Sequence, residues 1–303
     1  MSVKVQNVTK LYGKQKALDQ VSFEVNTGQV VGFLGPNGAG KSTMMKIISC
    51  FIPQTSGDVS VNGHDTLEES IEVRKLVGYL PEHNPLYLDM YVKEYLAFIA
   101  GMHKLSKEKI EKRVPEMIEI TGLGLEQKKK IGALSRGYRQ RVGLAQAMIH
   151  EPAVLILDEP TSGLDPNQLI EIRNLIKNIG KEKTVILSTH IMQEVEAICN
   201  RVIIINKGKI IADDDTKMLQ QKMEKEKIFI VEFNKPISKT ELLKINNVAS
   251  AENFTGNEWK IKSIDADIRE SLFKFAVDHN LAVLKLNVEE YSLEEVFHKL
   301  TLE

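Results

Sequence analysis

The stretch Val30-Val31-Gly32-Phe33-Leu34-Gly35-Pro36-Asn37-Gly38-Ala39-Gly40-Lys41-Ser42-Thr43 decides the fold. An apolar run enters a glycine-rich turn, and the turn enters a helical pattern over residues 43–49. The order is strand, phosphate loop, helix. The spacing is G-x-x-x-x-G-K-[ST], with Gly35, Gly40, Lys41 and Ser42 at the fixed places. Glycines let the backbone wrap tightly, so several N–H groups point at one phosphate, and the N-terminus of the following helix adds its positive dipole end. Lys41 is placed to reach the β- and γ-phosphates of a nucleotide, and Ser42 offers a hydroxyl to Mg²⁺.

Outward from that loop, the next chemical signal is Val154-Leu155-Ile156-Leu157-Asp158-Glu159. Four apolar residues ending in two acids predict a buried parallel strand with carboxylates at its C-terminal edge, where ligands sit in open α/β sheets. With a phosphate loop in the same chain, Asp158 would hold Mg²⁺ through water. Glu159 would orient or deprotonate the attacking water. Residues 184–188 form the next apolar strand, followed by Thr189-His190. A lone histidine is more often structural, but this one stands at a strand end beside the expected γ-phosphate. Tyr12, in Leu11-Tyr12-Gly13, precedes the phosphate loop. It reads as a turn aromatic that could also stack on a base. Ser135 and Gly137, in Leu134-Ser135-Arg136-Gly137-Tyr138, read on their own as an N-cap and a close-approach glycine opening a helix.

At 303 residues the chain predicts two domains, and 43% hydrophobic with 27% charged residues is a globular composition. Forty basic residues against 41 acidic ones give a net charge of −1, which argues against nucleic acid as the main partner. Cys50 and Cys199 lie in apolar patterns and read as reduced, buried thiols. The chain opens directly into the alternating residues 3–8, without a signal-peptide pattern, and no run approaches the ~18 apolar residues of a membrane span. The expectation is a cytoplasmic protein.

Residues 92–122 are helical and polar, and the charge runs at 107–112 and 128–130 read as solvated faces. A hairpin is expected around Lys207-Gly208, then a polar helix-like linker over 213–227. Beyond it the pattern is β-α-β-β-α-β, a small ferredoxin-like sandwich without a visible catalytic cluster. A last helix is expected at 292–300, with Ser292 and Glu295 as a capping box. The fold class is therefore α/β, a P-loop NTPase with a helical subdomain and a small C-terminal α+β domain. The expected boundaries are 1–225, with the helical subdomain at about 83–150, and 226–303.

Taken together, this ordered set over residues 1 to about 215 resembles an ABC transporter ATP-binding subunit. Tyr12 matches the adenine-stacking aromatic, Gly35 to Ser42 the Walker A loop, and Leu134 to Tyr138 the signature. Asp158 and Glu159 match Walker B and its catalytic glutamate, Asp165 the D-loop, and His190 the switch histidine. Two positions depart from the family pattern. The signature reads Leu-Ser-Arg-Gly-Tyr instead of Leu-Ser-Gly-Gly-Gln, and Glu82 stands where the family has the Q-loop glutamine. A carboxylate at Glu82 could approach Mg²⁺ but lacks glutamine's donor group.

The runs 78–87, 137–145 and 292–297 look like the ABC-2 export branch, and 188–199 is similar to the gliding-motility-associated subunit of Bacteroidetes. The resemblance implies a head-to-tail homodimer that binds ATP and Mg²⁺ and hydrolyses ATP. Each nucleotide would lie between the phosphate loop of one chain and Ser135, Gly137, Tyr138 and Asp165 of the other. It also implies an integral-membrane permease partner, with this chain peripheral on the inner face of the cytoplasmic membrane. Related ATPase heads that act on ribosomes or DNA carry two heads with a basic linker, or a long coiled-coil insertion, and this chain shows neither.

Overall fold

The computed structural model describes residues 2–216, 218–219, 226–264 and 267–289. The chain divides into two compact units, Met1–Asp214 and Asp215–Glu303. The division falls ahead of the 225/226 boundary expected from the sequence. Of the expected helix-like linker over 213–227, the residues up to Asp215 are strand, Thr216, Met218 and Leu219 are helical, and strand resumes at Glu226. The expected helix at 292–300, and the export-branch run at 292–297, lie outside the described residues.

The first unit has two sheets. Strands β1 (Val3–Tyr12), β2 (Gln15–Val25), β4 (Ser56–Val61) and β5 (His64–Asp65) form one, in the order β2-β1-β4-β5. Val3, Val5 and Val8 all face the core although their spacing breaks strict alternation. Asn7, in a left-handed conformation with φ 48°, lies at the register shift between Val5 and Val8 and restores the phase.

The other sheet orders β10-β9-β3-β8-β7-β6, from Lys209–Asp215, Arg201–Asn206, Val30–Leu34, Thr184–Thr189, Val154–Asp158 and Val77–Leu80. Ladders from β9 across to β6 are parallel. Every residue of β3, β7 and β8 is buried, which explains why these strands read as continuous apolar runs. Parallel pairing brings the C-terminal ends of β3, β7, β8 and β6 to one edge. The phosphate loop, Asp158-Glu159, His190 and Glu82 follow those ends.

The helical region is more broken than its sequence pattern suggests. Helix α3 (Val92–Met102) and helix α4 (Lys107–Ile120) are separated at Lys104, whose φ is 59°. Ser106 then caps α4 by accepting from the Lys109 N–H. A left-handed residue cannot propagate a right-handed helix, so the 92–122 pattern becomes two helices. Both lysine-rich runs lie on exposed faces. Helix α5, Arg136–Met148, follows a short 3₁₀ turn at Ile131–Ala133.

The second unit runs β11 (Glu226–Phe233), α8 (Lys239–Leu242), β12 (Val248–Thr255), β13 (Glu258–Ile264), α9 (Arg269–Asp278) and β14 (Val283–Glu289). Its antiparallel sheet has the order β12-β13-β11-β14. Phe229, Val231 and Phe233, alternating along β11, join Trp259, Ile261, Leu242 and Leu272 in one core.

Candidate functional site: a nucleotide cleft at the parallel sheet edge

Helix α1, Lys41–Ile48, leaves the phosphate loop through Gly40, whose φ is 111°. A Cβ on Gly40 would lie 2.6 Å from the Ala17 carbonyl oxygen, so both conformation and space demand glycine. Lys41 is almost wholly buried and its side chain folds back over the loop. Its Nζ donates to the carbonyl oxygens of Gly35 at 2.8 Å and Pro36 at 3.3 Å, and lies 3.5 Å from Glu159 Oε1.

From β7, Asp158 accepts a hydrogen bond from Ser42 Oγ at 3.0 Å and another from Ser188 Oγ. Ser42 and Asp158, predicted separately as Mg²⁺ residues, therefore meet. Hydroxyl and carboxylate oxygens are the ligands a hard divalent cation takes. Among the described residues no cluster of three or more His, Cys, Asp or Glu would hold a metal unaided. The Ser42 hydroxyl and Asp158 carboxylate fit Mg²⁺ completed by substrate phosphates.

Glu159 stands in a left-handed conformation with φ 49°, costly for a residue with a Cβ and typical of functional sites. Its N–H donates to the Ser188 carbonyl at 3.0 Å, and its own carbonyl accepts from Ser162 N–H at 3.1 Å. This twist turns the carboxylate towards His190, whose Nδ1 lies 2.9 Å from Glu159 Oε2. His190 is part-exposed while Glu159 is buried, so the pair joins the interior to the opening.

Lys41, Ser42, Glu159 and His190 line a cleft of about 580 Å³ together with Tyr12, Asn37, Gly38, Thr43, Glu82 and Ser162. Tyr12 is 51% exposed with its ring at this opening, and Lys10 Nζ sits 5.3 Å from the ring centroid. It therefore belongs to the cleft and not to the core. Glu82 borders the cleft and also an adjoining cavity of about 420 Å³ lined by Ser42, Tyr79, Gln146 and Asp158. Burial, and then the negative charges of Asp158 and Glu82, push the Tyr79 hydroxyl pKa up.

The signature residues are placed elsewhere. Ser135 caps α5, accepting from Tyr138 N–H at 3.4 Å, and Arg141 lies over the Tyr138 ring. Asp165 caps the next helix, α6 (Pro166–Ile179), accepting from Gln168 N–H at 3.0 Å. The two helix starts touch. A Cβ on Gly137 would lie 2.6 Å from the Gln168 side chain, and Arg136 lies against Gly163. None of Ser135, Gly137, Tyr138 or Asp165 lines the cleft of its own chain.

Comparison with known proteins meets this geometry. The family described as ABC transporter matches residues 18–162. A second, described as AAA domain, putative AbiEii toxin, Type IV TA system, matches residues 129–196. The linearmycin resistance ATP-binding protein LnrL of Bacillus subtilis is 33% identical over 99% of this chain and 98% of its own. The chain belongs to the ABC transporter ATP-binding family. The bacitracin transport ATP-binding protein BcrA of Bacillus licheniformis is 34% identical, over 98% of this chain and 96% of its own. Among solved structures, the dimeric post-hydrolysis state of the ATP-binding cassette MJ0796, bound to ADP and Pi, superposes with a TM-score of 0.64. It is 28% identical, covering 70% of this chain and 98% of that one. This ABC protein is thus an ATP-binding ATPase subunit with the cassette fold. Among the described residues no helix is long and apolar enough to cross a membrane.

One buried acid that bonds the loops carrying Glu159 and His190 did not stand out in the sequence. Glu194, on α7 (Met192–Ile198), is completely buried and accepts from Thr161 and Thr189. Its signal was available only as an acid on the apolar face of a helix that follows His190.

Proposed function

We propose that this chain is the ATP-hydrolysing subunit of an ABC-2 type exporter, working as a head-to-tail homodimer on a separate integral-membrane permease. The observation that carries the reading is the separation of two sets of residues. Lys41, Ser42, Glu159 and His190 line one cleft and Asp158 adjoins it through Ser42, while Ser135, Gly137, Tyr138 and Asp165 are grouped outside it. A second copy, turned by a two-fold axis, would bring the second set over the nucleotide held by the first.

In this arrangement the phosphate-loop residues Gly35, Pro36, Asn37, Gly38, Ala39, Gly40 and Thr43 surround the phosphates of ATP. Tyr12 stacks on the base. Lys41 exchanges its loop carbonyls for the β- and γ-phosphate oxygens. Ser42 and Asp158 would hold Mg²⁺, with Glu82 near it, and the ion would supply positive charge for the transferred phosphoryl group. Glu159 takes or orients the proton of the attacking water, and His190 steadies the γ-phosphate. ATP closes the dimer and hydrolysis releases it.

Export is supported by the extent of similarity. LnrL and BcrA match nearly end to end, C-terminal unit included, and their names record resistance and transport. The similarity of residues 188–199 to gliding-motility subunits rests on that run alone, so the proposal stops at export. The expected location is the inner face of the cytoplasmic membrane.

Isolation from native membranes under mild detergent tests the reading. The expected result is a co-purifying polytopic subunit that stimulates the ATPase. Recovery of the chain on ribosomes or DNA, without a membrane partner, would overturn it.

A further inference from the structure

The Glu194 carboxylate joins the two loops that carry Glu159 and His190. Thr161 stands two residues after Glu159, and its hydroxyl donates to Glu194 Oε1. Thr189 stands immediately before His190 and donates to Glu194 Oε2 at 2.6 Å. The Thr189 Oγ1 also accepts from Ile191 N–H at 3.0 Å, which pins the turn on the other side of His190. Thr161, Thr189 and Glu194 are all buried, the last two completely. Burying a carboxylate is unfavourable unless its oxygens are satisfied. Here each oxygen has its own hydroxyl, and the two hydroxyls come from different strand ends.

We propose that Glu194 is a positioning residue that sets the spacing between Glu159 and His190. It does not line the cleft, so it acts through the loops it joins. Its two oxygens act as a fixed spacer between the segment after β7 and the end of β8, so the 2.9 Å approach of His190 to Glu159 is held before ATP arrives. The left-handed conformation of Glu159 needs such support, because an unbraced loop would relax out of it. The inference rests on the roles proposed above for Glu159 and His190.

The test compares Glu194→Gln, Thr161→Val and Thr161→Ser in the full chain, with Glu159→Gln and His190→Ala alongside. ATP affinity is read with a fluorescent ATP analogue, turnover by phosphate release, and folding by thermal melting. Glu194→Gln and Thr161→Val are expected to lower kcat about tenfold or more, as small misplacements of catalytic groups do. ATP affinity and KM should stay within about twofold, because binding is not what the brace controls. Thr161→Ser keeps the hydroxyl and should restore turnover. That separates positioning from packing, since Val matches the shape of Thr better than Ser does. Should Glu194→Gln fail to fold, the Thr161 pair decides alone. Parental kcat in both Glu194→Gln and Thr161→Val, while Glu159→Gln and His190→Ala are inactive, would overturn the brace. So would equal losses in the Val and Ser variants. Full turnover in Glu159→Gln and His190→Ala would instead overturn the underlying roles, and the brace with them.

Discussion

Lys41, Ser42, Asp158, Glu159 and His190 come from three strand ends far apart in sequence and touch one another. Ser135, Gly137, Tyr138 and Asp165 come from two adjacent helix starts and engage their own neighbourhood: Ser135 caps α5, Asp165 caps α6, and Gly137 lies against Gln168. The first group has an inward geometry with buried charges held by several partners. The second has ordinary helix-capping geometry and an exposed Ser135. The contrast teaches that the cleft is built to act on phosphate within one chain. On the proposed reading, the signature gains a chemical role only when a second copy is brought to it.

The strongest way to break this contrast is at Glu159. Glu159→Gln should lower hydrolysis about 100-fold or more, the scale of a lost general base, while ATP binding and the ATP-dependent dimer persist. Steady-state ATPase assays and light scattering with ATP check this. Near-normal hydrolysis would remove Glu159 from its proposed role. The signature side predicts the reverse pattern. Ser135→Ala should leave ATP affinity of the monomer unchanged within about twofold and weaken the ATP-dependent dimer by about tenfold, the worth of one hydrogen bond to a charged oxygen. A monomer that loses ATP binding would show that Ser135 serves the cleft of its own chain.

Glu82 tests the border between the two. Glu82→Gln restores the donor expected at this place, so nucleotide binding should hold while turnover changes about two- to fivefold, the scale of one neutral hydrogen bond. Unchanged turnover with and without the membrane partner would show that the substitution is silent.

The smallest effect is expected on the helical side, where His150 follows α5 and its ring stacks on His103 at 3.9 Å. Burial, and then the nearby His103, lower its pKa from 6.5 to about 4. The folded state therefore resists a proton that the unfolded state accepts. The neutral form's full contribution is present above pH 6.5, and stability is lost as pH falls from there towards 4. His150→Gln should flatten this acid limb in melting curves, whereas an unchanged limb would place the loss on other groups.

The phosphate loop, Asp158, Glu159 and His190 were legible in the sequence because each follows a buried strand, and such strands announce themselves as apolar runs. Parallel pairing then puts their C-terminal ends on one edge. The second unit was legible for the same reason: its β-α-β-β-α-β order follows from periodicity, and alternate residues of β11 form its core. Less was legible in the helical region. The pattern over 92–122 continues through Lys104, and periodicity carries no sign of a single left-handed residue. Tyr12 was ambiguous because a turn aromatic and a base-stacking aromatic look alike until its exposure at the cleft is known.

The sequence by itself determined the phosphate-binding chemistry, the order of its motifs and the alternation of strand and helix that supports them. These are local properties, written in glycine spacing, apolar runs and caps. Only the tertiary structure decided that Ser42 meets Asp158, that Glu159 turns towards His190, and that Glu194 joins Thr161 to Thr189. Those contacts span up to 116 residues of chain, and a hydrogen bond across that distance exists only once the sheet has set its strand order.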